Sequence, residues 1–120
     1  MTAIRTRILL YSPGDGRRAE VEALVDTGAI FSVLPRRFLE SLGVPVEGRR
    51  TFRTIDGRPF ERDLGAVRLE VIGKRSLVPV PVIFGEERDG VVLGVTALEM
   101  LGLEVDPTRG ELRETEFLMY

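Results

Sequence analysis

The chain has 120 residues, of which 43% are hydrophobic and 30% charged, so we expect one folded domain spanning residues 1–120. Its 17 basic and 19 acidic residues leave a net charge of −2 with both signs interspersed, so a nucleic-acid partner is not expected. Cysteine and histidine are absent, which excludes disulfides, thiol nucleophiles, histidine-dependent triads and Cys/His metal sites. Any catalysis therefore depends on carboxylates, hydroxyls, lysine or backbone groups, and no metal or other cofactor is expected.

The first predicted element is a β-hairpin. Hydrophobic and polar residues alternate over residues 4–10 and again over residues 19–25, on either side of a turn at residues 12–16. Pro35 then begins a predicted helix of about two turns. Gly43 is placed for a left-handed residue at the end of that helix.

A second, longer hairpin is predicted to follow. Strand patterns cover residues 51–55 and 58–72, and Asp56 and Gly57 between them suit a two-residue turn. Gly65 is expected to mark a bulge or a bend in the returning strand.

The next strand carries two prolines, Pro79 and Pro81, on the face opposite its valines. Proline donates no backbone hydrogen bond, so this strand is expected at an edge or where the ladder is broken. Residues 91–94 have the composition of a short buried strand.

A second short helix is predicted near the C-terminal end. Thr96 and Glu99 resemble a capping box at its start, and Gly102 is placed to end it. A turn that begins at Asp106 then leads into a last strand at residues 111–117.

Neither secretion nor membrane insertion is predicted. The apolar stretch at residues 8–11 is shorter than the roughly 7–15 residues of a signal peptide core. The longest apolar run, residues 77–84, is less than half of the roughly 20 residues that cross a bilayer. We therefore expect a cytoplasmic protein without a membrane partner.

Two segments of the sequence are similar to each other. Residues 39–46 and 98–105 match in Leu, Glu, Leu, Gly and Val at a constant offset of 59 residues. Each follows an apolar strand and a glycine, at residues 23–28 and 91–94. Two unrelated helices that end in Leu-Gly would explain the match. A duplicated strand, glycine turn and helix would also explain it and would give a pseudo-symmetric, barrel-like unit.

The clearest local signal is an acidic residue at the end of an apolar strand, followed directly by a glycine turn. Taken alone, such a sequence is explained by an Asx-turn at the end of a strand. The surrounding sequence is more specific than the motif alone. The order of several features resembles that in the retropepsin-like aspartic proteases, the single-lobed relatives of the two-lobed pepsins. These features are Asp26-Thr27-Gly28-Ala29, Ser32-Val33-Leu34-Pro35, the hairpin around Asp56-Gly57-Arg58, Leu93-Gly94 and the segment 101–106.

The resemblance covers residues 19–112 and implies an all-β-dominated, single-lobed, closed β-barrel with one or two short helices. It implies a catalytic role for Asp26 and an active-site loop supported by Thr27, Gly28 and Ala29. It also implies a flap that closes over a peptide or protein substrate, formed by Ile55, Asp56, Gly57 and Arg58. The chain departs from the viral members in having Ile30 after the motif and a single glycine at the flap tip.

The chemistry of this motif predicts a homodimer. Hydrolysis without a metal or a covalent intermediate needs two carboxylates that share one proton, and the chain has one such motif. A two-fold axis brings Asp26 of both subunits together. Asp106 is not expected to be the second acid, because it precedes a proline in a turn and lacks a following Thr-Gly. We therefore expect an aspartic-type peptidase, a hydrolase, that works as a homodimer.

Two other classes of function compete with this one. A non-catalytic dimerisation or peptide-binding domain could keep the same fold and motif. A β-barrel module for oligosaccharides or nucleic acids is disfavoured, because such modules use exposed aromatic residues and a basic groove. The chain has two Tyr, no Trp and a net charge of −2.

Overall fold

The computed structural model describes residues 3–74 and 78–117, and within these ranges most of the ordered elements are β-strands. The elements, in chain order, are β1 Ile4–Tyr11, β2 Arg18–Asp26, β3 Ser32–Pro35, α1 Arg36–Ser41, β4 Gly48–Arg53, β5 Pro59–Val71, β6 Val78–Gly85, β7 Val92–Gly94, α2 Val95–Leu101, β8 Leu103–Asp106 and β9 Glu111–Glu114. The predicted all-β-dominated fold with short helices is confirmed. Neither helix in the described ranges has the length and hydrophobicity needed to cross a bilayer.

One large sheet organises the fold. Its strand order is β1-β2-β7-β3-β6-β5-β4, and β1 also pairs with β5. This additional pairing closes six of the strands into a ring, to which β4 is attached through β5. The ring agrees with the predicted closed β architecture. Strands β8 and β9 form a separate two-stranded sheet.

Hydrophobic side chains from the ring and from both helices form the core. Alternate residues are buried, such as Ile8 and Leu10 on β1 and Val67 and Leu69 on β5, as expected where one face of a strand is covered. The core also includes Leu34, Leu39, Val80, Val82, Phe84, Leu93, Leu98 and Leu101. Burial of these side chains is the main term that stabilises the fold.

The first hairpin and the first helix follow the sequence prediction. β1 and β2 pair in antiparallel register from Ile4 opposite Val25 to Tyr11 opposite Arg18. Helix α1 begins directly after Pro35, and Gly43 beyond its end has a φ of +74°.

The second hairpin is confirmed, but its turn differs from the prediction. β4 and β5 pair as far as Arg53 opposite Pro59. The amide of Thr54 then donates to the carbonyl of Arg58 at 2.9 Å, and the amide of Gly57 donates to the carbonyl of Thr54 at 2.9 Å. The loop therefore has three residues rather than two, with Gly57 at a φ of +88°. A left-handed glycine is typical of three-residue hairpin loops.

Of the bulge or bend predicted at Gly65, the bulge is wrong. β5 pairs with β6 in unbroken register through this residue, with Leu64 opposite Ile83 and Gly65 opposite Val82. A Cβ at position 65 would lie 2.8 Å from the carbonyl oxygen of Pro45 and 2.9 Å from the ring of Phe84. Glycine is needed here because a neighbouring backbone and a core ring approach closely.

The two prolines of β6 lie where that strand has a neighbour on one side. Residues 78–83 of β6 pair with β5, whereas β3 pairs only with residues 82–85. Pro79 and Pro81 therefore stand outside the segment that is paired on both edges, which confirms the prediction.

The C-terminal turn also follows the prediction. Oδ1 of Asp106 accepts hydrogen bonds from the amides of Thr108 at 3.0 Å and Arg109 at 3.2 Å. The strand after the turn ends at Glu114, earlier than expected. The preceding strand, β8, was not anticipated from the sequence.

The pairing of the central strands shows a pseudo-two-fold relation with the sequence offset of 59 residues. Leu24 pairs with Val92 in the parallel β2–β7 pair, and Val33 pairs with Ile83 in the parallel β3–β6 pair. The offset of 59 residues relates Leu24 to Ile83 and Val33 to Val92. It therefore converts the first pair into the second, and the two pairs are equivalent. β2 therefore corresponds to β6, and β3 to β7, whereas the sequence match had aligned residues 23–28 with 91–94. The counterpart of Asp26 is Gly85.

Candidate active site

Asp26 is the last residue of β2, where it pairs with Gly94 of β7. Its Oδ1 accepts a hydrogen bond from the amide of Gly28 at 2.9 Å, and its carbonyl oxygen accepts one from the amide of Ala29 at 3.2 Å. One hydrogen bond to the side chain of Asp26 and one to its backbone therefore fix the turn after the strand. Asp26, Thr27 and Gly28 are exposed in the single chain, and Ala29 is half-buried.

The loop after Asp26 also supplies the hydrogen-bond acceptors for the start of α2. The amide of Val95 donates to the carbonyl of Ala29 at 2.7 Å, and the amide of Thr96 donates to the carbonyl of Ile30 at 3.3 Å. No side chain caps this helix, so the predicted capping box of Thr96 and Glu99 is wrong. The loop instead satisfies the first two amides of the helix, those of Val95 and Thr96.

Gly94 allows the Asp26 loop to approach the β7–α2 junction. A Cβ at this position would lie 2.6 Å from the carbonyl oxygen of Phe31 and 2.8 Å from that of Ala29. The amide of Gly94 donates to Oγ of Ser32 at 3.0 Å, and Ser32 is only 1% exposed. Sequence reasoning did not identify this contact, because its two residues are 62 positions apart.

Aromatic side chains connect this loop to the β4–β5 hairpin. The rings of Phe52 and Phe60, which are opposite each other in the hairpin, stack with centroids 5.8 Å apart. Phe52 also meets Phe31 edge to face, with centroids 6.0 Å apart. One signal for this cluster is visible in the sequence, since Phe52 and Phe60 flank the predicted turn nearly symmetrically.

The predicted flap residues form the tip of this hairpin. Ile55 is fully exposed, and Asp56 accepts a hydrogen bond from the hydroxyl of Thr54 and makes a 3.3 Å ion pair with Arg58. Arg53 donates to the carbonyl of Gly57 at 2.9 Å. These polar contacts lie within the hairpin, so in the single chain they do not join its tip to the Asp26 loop.

Two arginine–aspartate pairs connect the base of the hairpin to the rest of the fold. Arg62 binds Asp89 through two hydrogen bonds, and Arg36 of α1 donates to Asp63 at 2.7 Å. The hydrogen bond from Arg36, with a second from Arg49, lowers the pKa of Asp63 from its usual value. The hydrogen bonds from Arg62 likewise lower the pKa of Asp89. Both carboxylates therefore favour the ionised form.

A groove adjoins the Asp26 loop on its exposed side. It has a volume of about 650 Å³ and is lined by apolar residues that include Ile4, Val25 and Val105 and by the polar residues Thr27, Thr108 and Arg109. A groove with apolar and polar walls beside an exposed loop has room for part of another molecule.

A single-lobed ring of strands with an Asp-Thr-Gly turn at the end of a central strand defines the class of retropepsin-like aspartic proteases. A sequence model of the family described as aspartyl protease matches residues 14–110, and the chain therefore belongs to that family. The resemblance inferred from the sequence is confirmed. No curated protein sequence matches the chain significantly.

A solved structure shows the same fold. The retroviral protease-like domain of Ddi1 from Leishmania major is 18% identical, with a TM-score of 0.62, and the match covers 98% of this chain and 91% of that domain. A retropepsin-like aspartic protease from Rickettsia conorii is 20% identical, with a TM-score of 0.49, covering 88% of this chain and 89% of that one. At 18% identity the likeness to the Leishmania major domain concerns the fold alone.

Proposed function

We propose that this protein is an aspartic endopeptidase that works as a homodimer and activates water between the Asp26 carboxylates of its two subunits. The observation that carries the proposal is the Asp26 turn. Its carboxylate lies exposed at the end of a central strand, oriented by the amide of Gly28, in a chain of the aspartyl protease family.

The dimer follows from the number of acids that the chemistry requires. One carboxylate must accept a proton from water while another donates a proton to the carbonyl oxygen of the peptide bond. Gly85 occupies the position equivalent to Asp26 in the second half of the fold, so the internal pseudo-symmetry supplies no second acid. A homodimer with two-fold symmetry supplies it from an identical subunit. The exposed Thr27 and the partly apolar groove beside it suit a surface that a partner covers.

The proposed reaction has two steps. The ionised Asp26 takes a proton from water as the oxygen attacks the carbonyl carbon, and the protonated Asp26 gives its proton to the carbonyl oxygen. The resulting tetrahedral diol then collapses: the ionised Asp26 takes a proton from one diol hydroxyl as the C–N bond breaks, and the protonated Asp26 transfers its proton to the leaving amine. The pair returns to its singly protonated state, so no cofactor is consumed.

The β4–β5 hairpin is proposed to act as the flap. Its tip, at Ile55, Asp56, Gly57 and Arg58, is exposed, and its aromatic face contacts the Asp26 loop through Phe31. An extended peptide beneath it would lie beside Gly28 and form strand-like hydrogen bonds. Closure would exclude bulk water from the reacting bond. Thr27 would hold the two loops together across the axis.

The test is incubation of the wild-type protein and the Asp26→Asn variant with a peptide library from acidic to neutral pH. We expect the wild type to cleave peptides and the variant to lose activity by roughly three orders of magnitude or more, because the titratable pair is gone. Glu22→Gln makes the same acid-to-amide change at an exposed position of the same strand and should leave cleavage intact. Peptide binding without cleavage by the wild type would favour the non-catalytic binding domain instead.

A further inference from the structure

One side-chain pair ties the β4–β5 hairpin to the loop at residues 86–90, which connects β6 to β7. Nε of Arg62 donates to Oδ2 of Asp89 at 2.8 Å, and Nη2 donates to Oδ1 at 3.0 Å. The two side chains are only 20% and 25% exposed. A two-point arginine–carboxylate pair of this kind fixes orientation as well as distance.

Both partners are held in place before they meet. The guanidinium of Arg62 lies over the ring of Phe60, 4.9 Å from its centroid, and Phe60 stacks on Phe52. Oδ2 of Asp89 also accepts the amide of Glu86 at 2.8 Å, and the amide of Asp89 donates back to the carbonyl of Glu86 at 2.9 Å. Little ordering is therefore needed to form the pair, which raises its contribution above that of a loose surface ion pair.

The position of this pair relates the hairpin to Asp26. The loop at residues 86–90 leads directly into β7, which pairs with β2 from Leu24 to Asp26. Between the hairpin and this loop lies a pocket of about 370 Å³, lined by residues that include Phe60, Arg62 and Asp89. The loop therefore contributes one wall of the pocket and continues into the strand beside Asp26.

We propose that Arg62 and Asp89 are positioning residues that hold the β4–β5 hairpin in a fixed relation to β7 and so to Asp26. The consequence for catalysis rests on the proposed peptidase function, whereas the anchoring itself does not. Without the pair, the hairpin keeps its Arg36–Asp63 and Phe31–Phe52 contacts but loses more conformational entropy each time it closes over a peptide. That cost applies equally to the bound substrate and to the transition state, so KM rises while kcat changes little.

Hydrogen exchange of the hairpin amides tests the anchor without any need for turnover. The amides of Thr54 and Gly57 are bonded within the hairpin, so they exchange when the hairpin tip unfolds locally. We expect Arg62→Gln and Asp89→Asn each to raise their exchange about tenfold, and the double variant to raise it no further, because both remove the same interaction. Asn at position 89 keeps an oxygen for the amide of Glu86. Arg62→Lys should restore part of the protection through a one-point contact.

Glu61→Gln is the matched control, because it removes a 3.3 Å ion pair with Arg49 that lies entirely within the same hairpin. In this variant the Thr54 and Gly57 amides should exchange at the wild-type rate. With a cleaved peptide, the Arg62 and Asp89 variants should show a KM raised roughly fivefold or more and a kcat within about twofold of the wild type. Unchanged exchange, additive effects in the double variant, or a fall in kcat at constant KM would overturn the proposal. If the wild type cleaves no peptide, the proposed function fails, and exchange still decides whether the pair anchors the hairpin.

Discussion

Replacement of Gly94 by alanine should destabilise the protein through the Asp26 loop. The added methyl carbon would lie 2.6 Å from the carbonyl oxygen of Phe31, where ordinary contact begins at 3.4 Å, so the loop or the β7–α2 junction must move by about 0.8 Å. Overpacking of this kind costs about 1–3 kcal/mol. Such a shift also stretches the 2.7 Å bond from Val95 to Ala29, and a backbone hydrogen bond contributes about 1 kcal/mol. The expected loss of unfolding free energy is therefore about 2–4 kcal/mol.

Urea unfolding followed by circular dichroism measures this loss. For a chain of this size, a change of about 3 kcal/mol corresponds to a fall in Tm on the order of 10 °C. Gly90→Ala is the matched control, because a Cβ there meets nothing within 4 Å and its φ lies outside the left-handed region. Its stability should stay within about 1 kcal/mol of the wild type. Equal stability of the two variants would show that the tight loop packing at Gly94 is not a constraint.

Two further predictions concern assembly and pH. Specific peptidase activity should fall when the protein concentration is diluted below the dimer dissociation constant, which sedimentation measures. A monomer that is active in this range would contradict the prediction. Because the folded-state pKa values of Asp63 and Asp89 are lowered, their arginine pairs stabilise the hairpin above the usual carboxyl pKa and lose this effect as the pH falls through the lowered values. Hairpin exchange, corrected for intrinsic rates, should thus stay constant from neutral pH to about pH 4 and increase below that; an increase already near pH 6 would contradict this reasoning.

The features that could be predicted from the sequence are those that neighbouring residues determine. Alternation over β1 and β2 and the signals at Pro35 and Gly43 are local and were sufficient for these elements. The Asp26 turn is equally local, since its side chain bonds a residue two positions away. Its catalytic role remains a prediction.

Contacts between distant segments could not be predicted from neighbouring residues. Thr96 and Glu99 have capping spacing, yet the first helix amides donate to the carbonyls of Ala29 and Ile30 instead. Nothing near Thr96 in the sequence indicates these hydrogen bonds. The pairing of Arg62 with Asp89 depends on the β5–β6 register, which fixes which arginine faces the loop.

The internal repeat shows the same limit. Its offset of 59 residues was visible in the helices, but the strands were aligned wrongly because β6 resembles β2 in its pairing rather than in its sequence.

Mixing of wild-type and Asp26→Asn subunits tests the central claim most directly. The total protein concentration is kept constant and well above the dimer dissociation constant, the wild-type fraction is varied, and the rate of peptide cleavage is measured after the subunits have exchanged. If each active site needs Asp26 from both subunits, activity falls with the square of the wild-type fraction, to about a quarter at equal amounts. A linear fall, to about half, would show that each subunit hydrolyses peptides alone and would contradict the shared pair.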